Sequence, residues 1–260
     1  MSDVVRRYTR FILRGERTPR LARLESDGAY TLLDEGWFCP PLPLGRQVDE
    51  SEISWWLPPC RPTKIVAVGK NYRAHAAEFD GQVPEVPLLF GKALSSLSAH
   101  RDRIVRPEGC GRFDLEGELA VVMGHRASRV GESSALQYVA GFTVANDVTC
   151  RDWQKADGQF HRGKSADGTC PIGPYLVQGI SPDDLGIETR LNGKTVQSGR
   201  TGQMIFSIAR LVAYISSSMT LEPGDVILTG TPAGVTPMLP GDVVEVEIEG
   251  LGVLQNEIIG

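Results

Sequence analysis

Residues 114–123, DLEGELAVVM, constrain this chain more than any other stretch. Read as an extended strand, they put Glu116, Glu118, Ala120 and Val122 on one face, and Leu115, Gly117, Leu119, Val121 and Met123 on the other. Both faces turn apolar toward the end, the pattern of a strand covered on two sides. Two carboxylates on one face of a covered strand repel each other where little water screens them, so a positive charge has to lie between them. A divalent cation held by oxygen ligands meets that need, because the spacing aims Glu116 and Glu118 at one point. The competing reading is an edge strand whose glutamates face water.

The rest of the chain bears on that choice. Residues 139–146, VAGFTVAN, are again continuous and apolar, and they deliver Asp147 at their end. A third carboxylate completes a facial set of oxygens and leaves other positions to water or a bidentate substrate. In the following DVTCRDWQ, a helix would turn Asp147, Arg151 and Gln154 to one side. An Arg and a Gln there suit an anionic, oxygen-rich ligand, unless Arg151 simply pairs with Asp147 or Asp152. His75 and Glu78 share a face if residues 72–79 form a helical turn, and a carboxylate beside an imidazole makes a water-activating base. An exposed helix with an incidental His-Glu pair is the alternative. The turn-rich DGQVPEVP that follows keeps this helix short and gives residues 71–87 the character of a lid. Lys92 can offset negative charge at the centre or stand as a solvated side chain. In TGTPAGV, Gly230 and Thr231 offer a backbone N–H and a hydroxyl to a carboxylate, against the plainer reading of a tight turn.

Residues 158–165, GQFHRGKS, match the phosphate-loop pattern G-x-x-x-x-G-K-[ST]. Context argues against a nucleotide site: a polar segment precedes the match where a buried strand is required, and ADGTCPIGP follows where a helix should open. Lys164 is then a cation close to Asp147 in sequence, placed to stabilise an enolate or a departing carboxylate.

The pattern elsewhere predicts a mainly β chain with some helix, an α+β fold. Residues 8–13, 19–24 and 29–33 read as a small antiparallel meander. The prolines of CPPLPLG and WWLPPCRP mark a linker, dividing a small N-terminal β domain (1–60) from a larger catalytic domain (61–260). Trp55 and Trp56 receive no function. Residues 202–219 carry Ile205, Ile208, Val212 and Ile215 at helical spacing, a core-facing stripe. LEPGDVIL and LPGDVVEVEI form matching turn-and-strand units near the end.

The charge balance excludes some partners. A net charge of -5 without a basic block argues against nucleic acid, and no apolar run is long enough to span a membrane. The N-terminus lacks the apolar core of a signal peptide, so a soluble, cytoplasmic protein is expected. Five scattered cysteines without a C-x-x-C pair read as reduced thiols that mostly pack.

From about residue 64 to the C-terminus, the chain resembles the fumarylacetoacetate hydrolase family. VGKNYRAHAAE, DLEGELAVVMG, ANDVTCRDWQ, GKSADGTCPIGP, GDVILTGTPAGV and PGDVVEVEIEGLG stand in family order and spacing. The resemblance implies a β-rich catalytic domain with one Mg2+ or Mn2+ per chain on Glu116, Glu118 and Asp147, and a His75-Glu78 dyad on a lid. It also implies that Lys164, Arg151, Gln154 and Thr231 surround the 2-oxo acid end of a small substrate, and that the protein is a homodimer. The expected reaction is hydrolysis of a carbon-carbon bond in an acylpyruvate-like 2,4-dioxo acid, through an enolate stabilised by the ion. Alternatives in aromatic catabolism are isomerisation or decarboxylation of the 2-hydroxyhepta-2,4-diene-1,7-dioate or 5-carboxymethyl-2-hydroxymuconate type; oxaloacetate decarboxylation is another. Readings outside this class are a nucleotide-binding protein using residues 158–165 and a non-catalytic scaffold; His75, Glu78 and Lys164 together speak against the scaffold. Cys150, Ala93 and Ala166-Asp167-Gly168 depart from common family patterns and bear on the substrate, with the metal ligands intact.

Overall fold

The computed structural model describes residues 4–34, 41–78 and 83–260. Among these residues the chain is mainly β, with a twelve-stranded sheet, a five-stranded sheet and a two-stranded ribbon. The large sheet runs in the order Pro43–Val48, Tyr30–Leu33, Arg20–Leu24, Arg6–Leu13, Cys170–Gln178, Val139–Asn146, Gly117–Met123, Val226–Leu228, Ile65–Gly69 and Leu88–Lys92. The N-terminal meander lies where its turns predict, and Arg6–Leu13 pairs antiparallel with Cys170–Gln178. Described strands on both sides of the expected boundary at residue 60 therefore share this sheet.

The glutamate-bearing strand sits inside it. Gly117–Met123 is buried along its whole length, between Val139–Asn146 and Val226–Leu228. Its alternation sorts side chains into two cores. Leu119, Val121 and Met123 pack with Ile187, Val246 and Ile248 of the five-stranded sheet and with Leu211, Val212 and Ile215 of the helix Ile208–Ser218. Ala120 and Val122 join Ile65, Ala67, Ala145 and Ile172 on the opposite face. Each buried Val, Leu or Ile contributes roughly 1.5–3 kcal/mol, so register is fixed: a one-residue slip would drive Glu118 into the first core. Gly117 must lack a side chain, since a Cβ there would collide with Thr189 and Val246 of the facing sheet.

Several expectations need correction. The strand does not run unbroken from residue 114; Phe113–Asp114 pairs separately with Thr149–Cys150, and Leu115 and Glu116 lie between that pairing and the start of Gly117–Met123. The proline-rich stretch holds two strands, Pro43–Val48 and Ile53–Leu57, because Pro43 opens the first and Pro58 follows the end of the second. Trp56 enters an aromatic cluster with Phe11, Tyr30 and Tyr175. The late helix starts at Ile208, where Ser207 caps it by accepting from the Arg210 N–H, and Ile205 lies before it. Cys110 and Cys150 form a disulfide, drawn together by the Phe113–Cys150 pairing of the small ribbon, whereas Cys60 and Cys170 are free and buried. Cys39 lies outside the described residues, as does the middle of the expected lid, residues 79–82.

Candidate active site

Strand register brings the acidic groups together. Gly117 opposes Asn146 at the ends of their two strands, the Asp147 N–H donates to the Glu116 carbonyl at 2.8 Å, and the Glu116 N–H donates to Asn146 Oδ1 at 2.8 Å. Glu116, Glu118 and Asp147 consequently converge, all buried, with carboxylate oxygens within 4.8 Å of one another. This is an all-oxygen, anionic donor set suited to a hard divalent cation.

The surrounding cations divide the work unequally. Lys164 Nζ donates to Glu116 Oε2 at 2.5 Å and to Asp147 Oδ2 at 2.7 Å, while Lys92 Nζ reaches Asp147 Oδ1 at 2.6 Å. Arg151 donates to Glu116 Oε1 at 2.5 Å, to Asp114 Oδ2 at 2.9 Å and to Gln154 Oε1 at 2.8 Å. Glu118 has no ion pair among the described residues; its Oε2 accepts the Gly230 N–H at 2.7 Å. Burial first, then repulsion by Asp147 and Glu116, pushes the Glu118 carboxyl well above its ordinary range. Burial opposes the charge of Glu116 too, but Lys164 and Arg151 outweigh it and hold that carboxyl low. For Lys164, Asp147 and Glu116 likewise overcome burial and raise its pKa. Glu118 is thus the member of the triad whose charge the protein alone leaves unbalanced. The triad fits a cation on that ground, since an unpaired buried charge costs several kcal/mol.

A cavity of about 300 Å³ opens over the triad, lined by His75, Arg151, Gln154, Lys164 and Thr231 among others. His75 sits on the short helix Arg73–Glu78, its Nδ1 3.2 Å from Glu78 Oε2, and Glu78 Oε1 accepts the Gly234 N–H at 2.8 Å. The structure therefore unites His75, Glu118, Glu116, Asp147, Arg151, Gln154, Lys164 and Thr231 in one place, with Glu78 behind the imidazole. Two local expectations differ. Asp147 lies before the helix Arg151–Asp157 rather than on it, so strand register, not helical spacing, places it beside Glu116, to which Arg151 is bound. The Gly230 N–H is taken by Glu118, and the Thr231 hydroxyl donates to the Gly117 carbonyl while accepting from Gln197 Nε2, both at 2.8 Å.

Lys164 belongs to a four-residue helix, His161–Lys164, preceded by another helix, and its ammonium is committed to two carboxylates. That placement removes the phosphate-loop reading. Sequence reasoning passed over three buried amides that build the site. Asn71 Nδ2 donates to the Thr229 carbonyl at 2.7 Å and its Oδ1 accepts the Phe206 N–H, tying the loop before Gly230 to the strand end at Gly69. Asn146 holds Glu116, and Gln197 accepts the Gly117 N–H at 2.9 Å. Asn71 and Asn146 each adjoin a flagged motif at the end of an apolar run, a usable signal; Gln197, on a distant hairpin, carries none.

The model of the family described as "Fumarylacetoacetate (FAA) hydrolase C-terminal" matches residues 64–259, and this chain belongs to that family. The oxaloacetate tautomerase YisK of Bacillus subtilis is 43% identical over 222 residues, covering 80% of this chain and 74% of that protein. A solved 5-carboxymethyl-2-hydroxymuconate delta-isomerase from Mycobacterium smegmatis superposes with a TM-score of 0.90 at 37% identity, covering 97% of this chain and 99% of that one. A fumarylacetoacetate hydrolase from Exiguobacterium antarcticum gives 0.84 at 35% identity, covering 98% and 99%. No helix among the described residues is long and apolar enough to cross a membrane.

Proposed function

We propose that this protein is a divalent-cation-dependent enzyme, acting as a homodimer, that moves the proton next to the carbonyl of a 2-oxo acid and so interconverts its keto and enol forms. The observation that carries this reading is the buried convergence of Glu116, Glu118 and Asp147 at the floor of a pocket that also presents Lys164 and His75. The three carboxylates would hold one Mg2+ or Mn2+, and such an ion supplies a Lewis acid for the carboxylate and 2-oxo oxygens of the substrate. Arg151 and Gln154 orient the carboxylate end. Lys164 stabilises the negative charge that develops on the 2-oxo oxygen as the C3 proton leaves. His75 takes that proton, with Glu78 holding the ring in place through a contact that Gly234 anchors. Thr231 and Gly230 shape the floor through Gly117 and Glu118. The printed activities of the tautomerase and isomerase relatives, both rearrangements that move a proton without breaking the carbon skeleton, support this reading.

The His75-Glu78 geometry favours a second reaction on the same centre. If a 2,4-dioxo acid binds, His75 can instead take a proton from water; hydroxide adds to the distal carbonyl, the carbon-carbon bond breaks, and the electron pair passes to C3 as the enolate. The experiment is nuclear magnetic resonance in deuterated solvent with Mn2+- or Mg2+-supplied protein, following C3 exchange in 2-oxo acids and cleavage of an acylpyruvate. His75→Ala should lower exchange by ~100-fold, the low end of what a general base contributes, with cation affinity retained. Unchanged exchange would remove His75 from the reaction.

A further inference from the structure

Among the described residues, the hydroxyls of Tyr72, Thr143 and Thr189 are buried without a hydrogen-bond partner. The two threonines stand on the strands Val139–Asn146 and Gly186–Leu191, where a β-branched side chain serves by its shape. Tyr72 is a different case, because phenylalanine would fill the same space without burying an idle hydroxyl. Its position is closely held. Tyr72 lies between the strand end at Gly69 and the helix Arg73–Glu78 that carries His75, and its backbone pairs with Met204 in an isolated antiparallel bridge. The preceding Asn71 binds the Thr229 carbonyl and the Phe206 N–H.

This segment lies against the residue that holds Glu118. Gly230, whose N–H donates to Glu118 Oε2, packs so closely on Asn71 that a Cβ added to it would come within 2.8 Å of the Asn71 Cβ. Burial first, then the charge of Glu118, pushes the Tyr72 phenol up, so the hydroxyl stands within the field of that carboxylate. Lys70 and His75 line the cavity over the triad and Tyr72 does not, which puts its ring on the protein side of Glu118. Glu118 is itself short of donors. Glu116 accepts from Arg151 and Lys164, and Asp147 accepts from Lys92 and Lys164, whereas Glu118 among the described residues accepts only the Gly230 N–H. A carboxylate offers about four acceptor sites, so a buried donor without an acceptor stands beside a buried acceptor with few donors.

We propose that Tyr72 is a positioning residue of the cation site, whose hydroxyl donates to Glu118 when that carboxylate serves as a ligand and so fixes its orientation. This rests on the cation-dependent reading and adds a residue behind the ligand. A hydrogen bond to a ligating carboxylate keeps it aimed at the ion, and losing such a partner weakens metal binding. Tyr72 touches neither substrate nor the transferred proton, so any effect on turnover passes through Glu118.

The test is Tyr72→Phe in the full chain, read in three ways. Calorimetric affinity for Mn2+ should fall by ~10-fold, the low end for a partner of a metal ligand. In thermal unfolding, the chelated variant should have a Tm equal to or above that of the chelated wild type, because the deleted hydroxyl had no partner to lose. Mn2+ should then raise the Tm of the variant less than that of the wild type. Mg2+ does not absorb in the near ultraviolet, so loading with it should red-shift the tyrosine absorption of the wild type, as a phenol donating to a carboxylate does, and Tyr72→Phe should lack the shift. Equal Mn2+ affinity in the two proteins, or the same spectral change in both, overturns the proposal. A chelated variant that is unfolded or markedly less stable than the wild type overturns it too, since the hydroxyl would then be partnered without the ion. If the wild type takes up no Mn2+, the cation reading falls and the role of Tyr72 with it; tight Mn2+ binding that Tyr72→Phe leaves intact removes the tyrosine alone.

Discussion

The chain contains the spacing Glu-x-Glu in two strand settings that end very differently. At Glu116 and Glu118 the carboxylates are buried and converge with Asp147 on a cavity floor. At Glu245 and Glu247, on the strand Val243–Ile248 of the five-stranded sheet, they join Glu188 around Arg190, at 3.1, 2.8 and 2.9 Å, in view of solvent. Both places gather three carboxylates around positive side chains, Arg190 in the exposed one and Lys92, Arg151 and Lys164 in the buried one. The Glu247 side chain is 48% exposed and that of Glu116 only 5%. Water screens the first group, so its surplus charge costs little; the second cannot relax, and its surplus demands a cation. Spacing is therefore common to a solvated lattice of charges and to a candidate metal site, and burial separates them.

Mutations on the two sides should diverge most in activity. Glu116→Ala or Asp147→Ala should reduce cation-dependent C3 exchange by ~1000-fold or more while the protein stays folded, because the lost ligand is replaced by water. Glu247→Ala should leave exchange unchanged and shift stability by less than ~1 kcal/mol, as exposed pairs do. Comparable losses from both substitutions would erase the distinction.

A smaller contrast concerns the central cations. Lys164→Met should lower kcat by ~100-fold with KM little altered, since the charge it stabilises develops in the transition state. Arg190→Met should change neither parameter. Steady-state kinetics of the two variants decide the matter, and a pure KM defect in Lys164→Met would make the lysine a binding group only.

The smallest effect is a pH dependence confined to the buried side. The Glu118 carboxyl is raised by burial and by its acidic neighbours. Its protonated form therefore favours the ion-free fold: that stabilisation is fully present below the ordinary value of 4.5 and is lost as pH rises through the elevated pKa. A bound cation must displace this proton, so calorimetric affinity for Mn2+ should climb with pH above the ordinary glutamate range and level off once Glu118 ionises unaided. Affinity independent of pH would mean that Glu118 is not a ligand.

The sequence carries enough to separate the two glutamate pairs once same-face neighbours are read. Ala120 and Val122 follow Glu118 on its face, whereas Glu249 follows Glu247. That rule, with the apolar run ending at Asp147, made the triad and its strands legible, and local spacing did the same for His75 and Glu78. What escaped depends on contacts between distant segments. The break at Leu115 and Glu116 follows from pairing with Thr149–Cys150, which also joins Cys110 to Cys150 across 40 residues without any spacing signal. The Gly230 N–H is spent on Glu118, and Gln197 supports Thr231 from a hairpin in the other sheet. Pro43–Val48 and Ile53–Leu57 hold their places because Tyr30–Leu33 and Arg6–Leu13 offer paired edges, which outweighs the proline content of the stretch.

The central claim is that the buried triad takes up a divalent cation and that the chemistry depends on it. The most direct measurement is C3 deuterium exchange of oxaloacetate by thoroughly chelated protein, before and after stoichiometric Mn2+ is restored, with Glu116→Ala as the control. Exchange should vanish on chelation, return with about one ion per chain, and fail to return in the variant. Full exchange by the chelated wild-type protein would contradict the account.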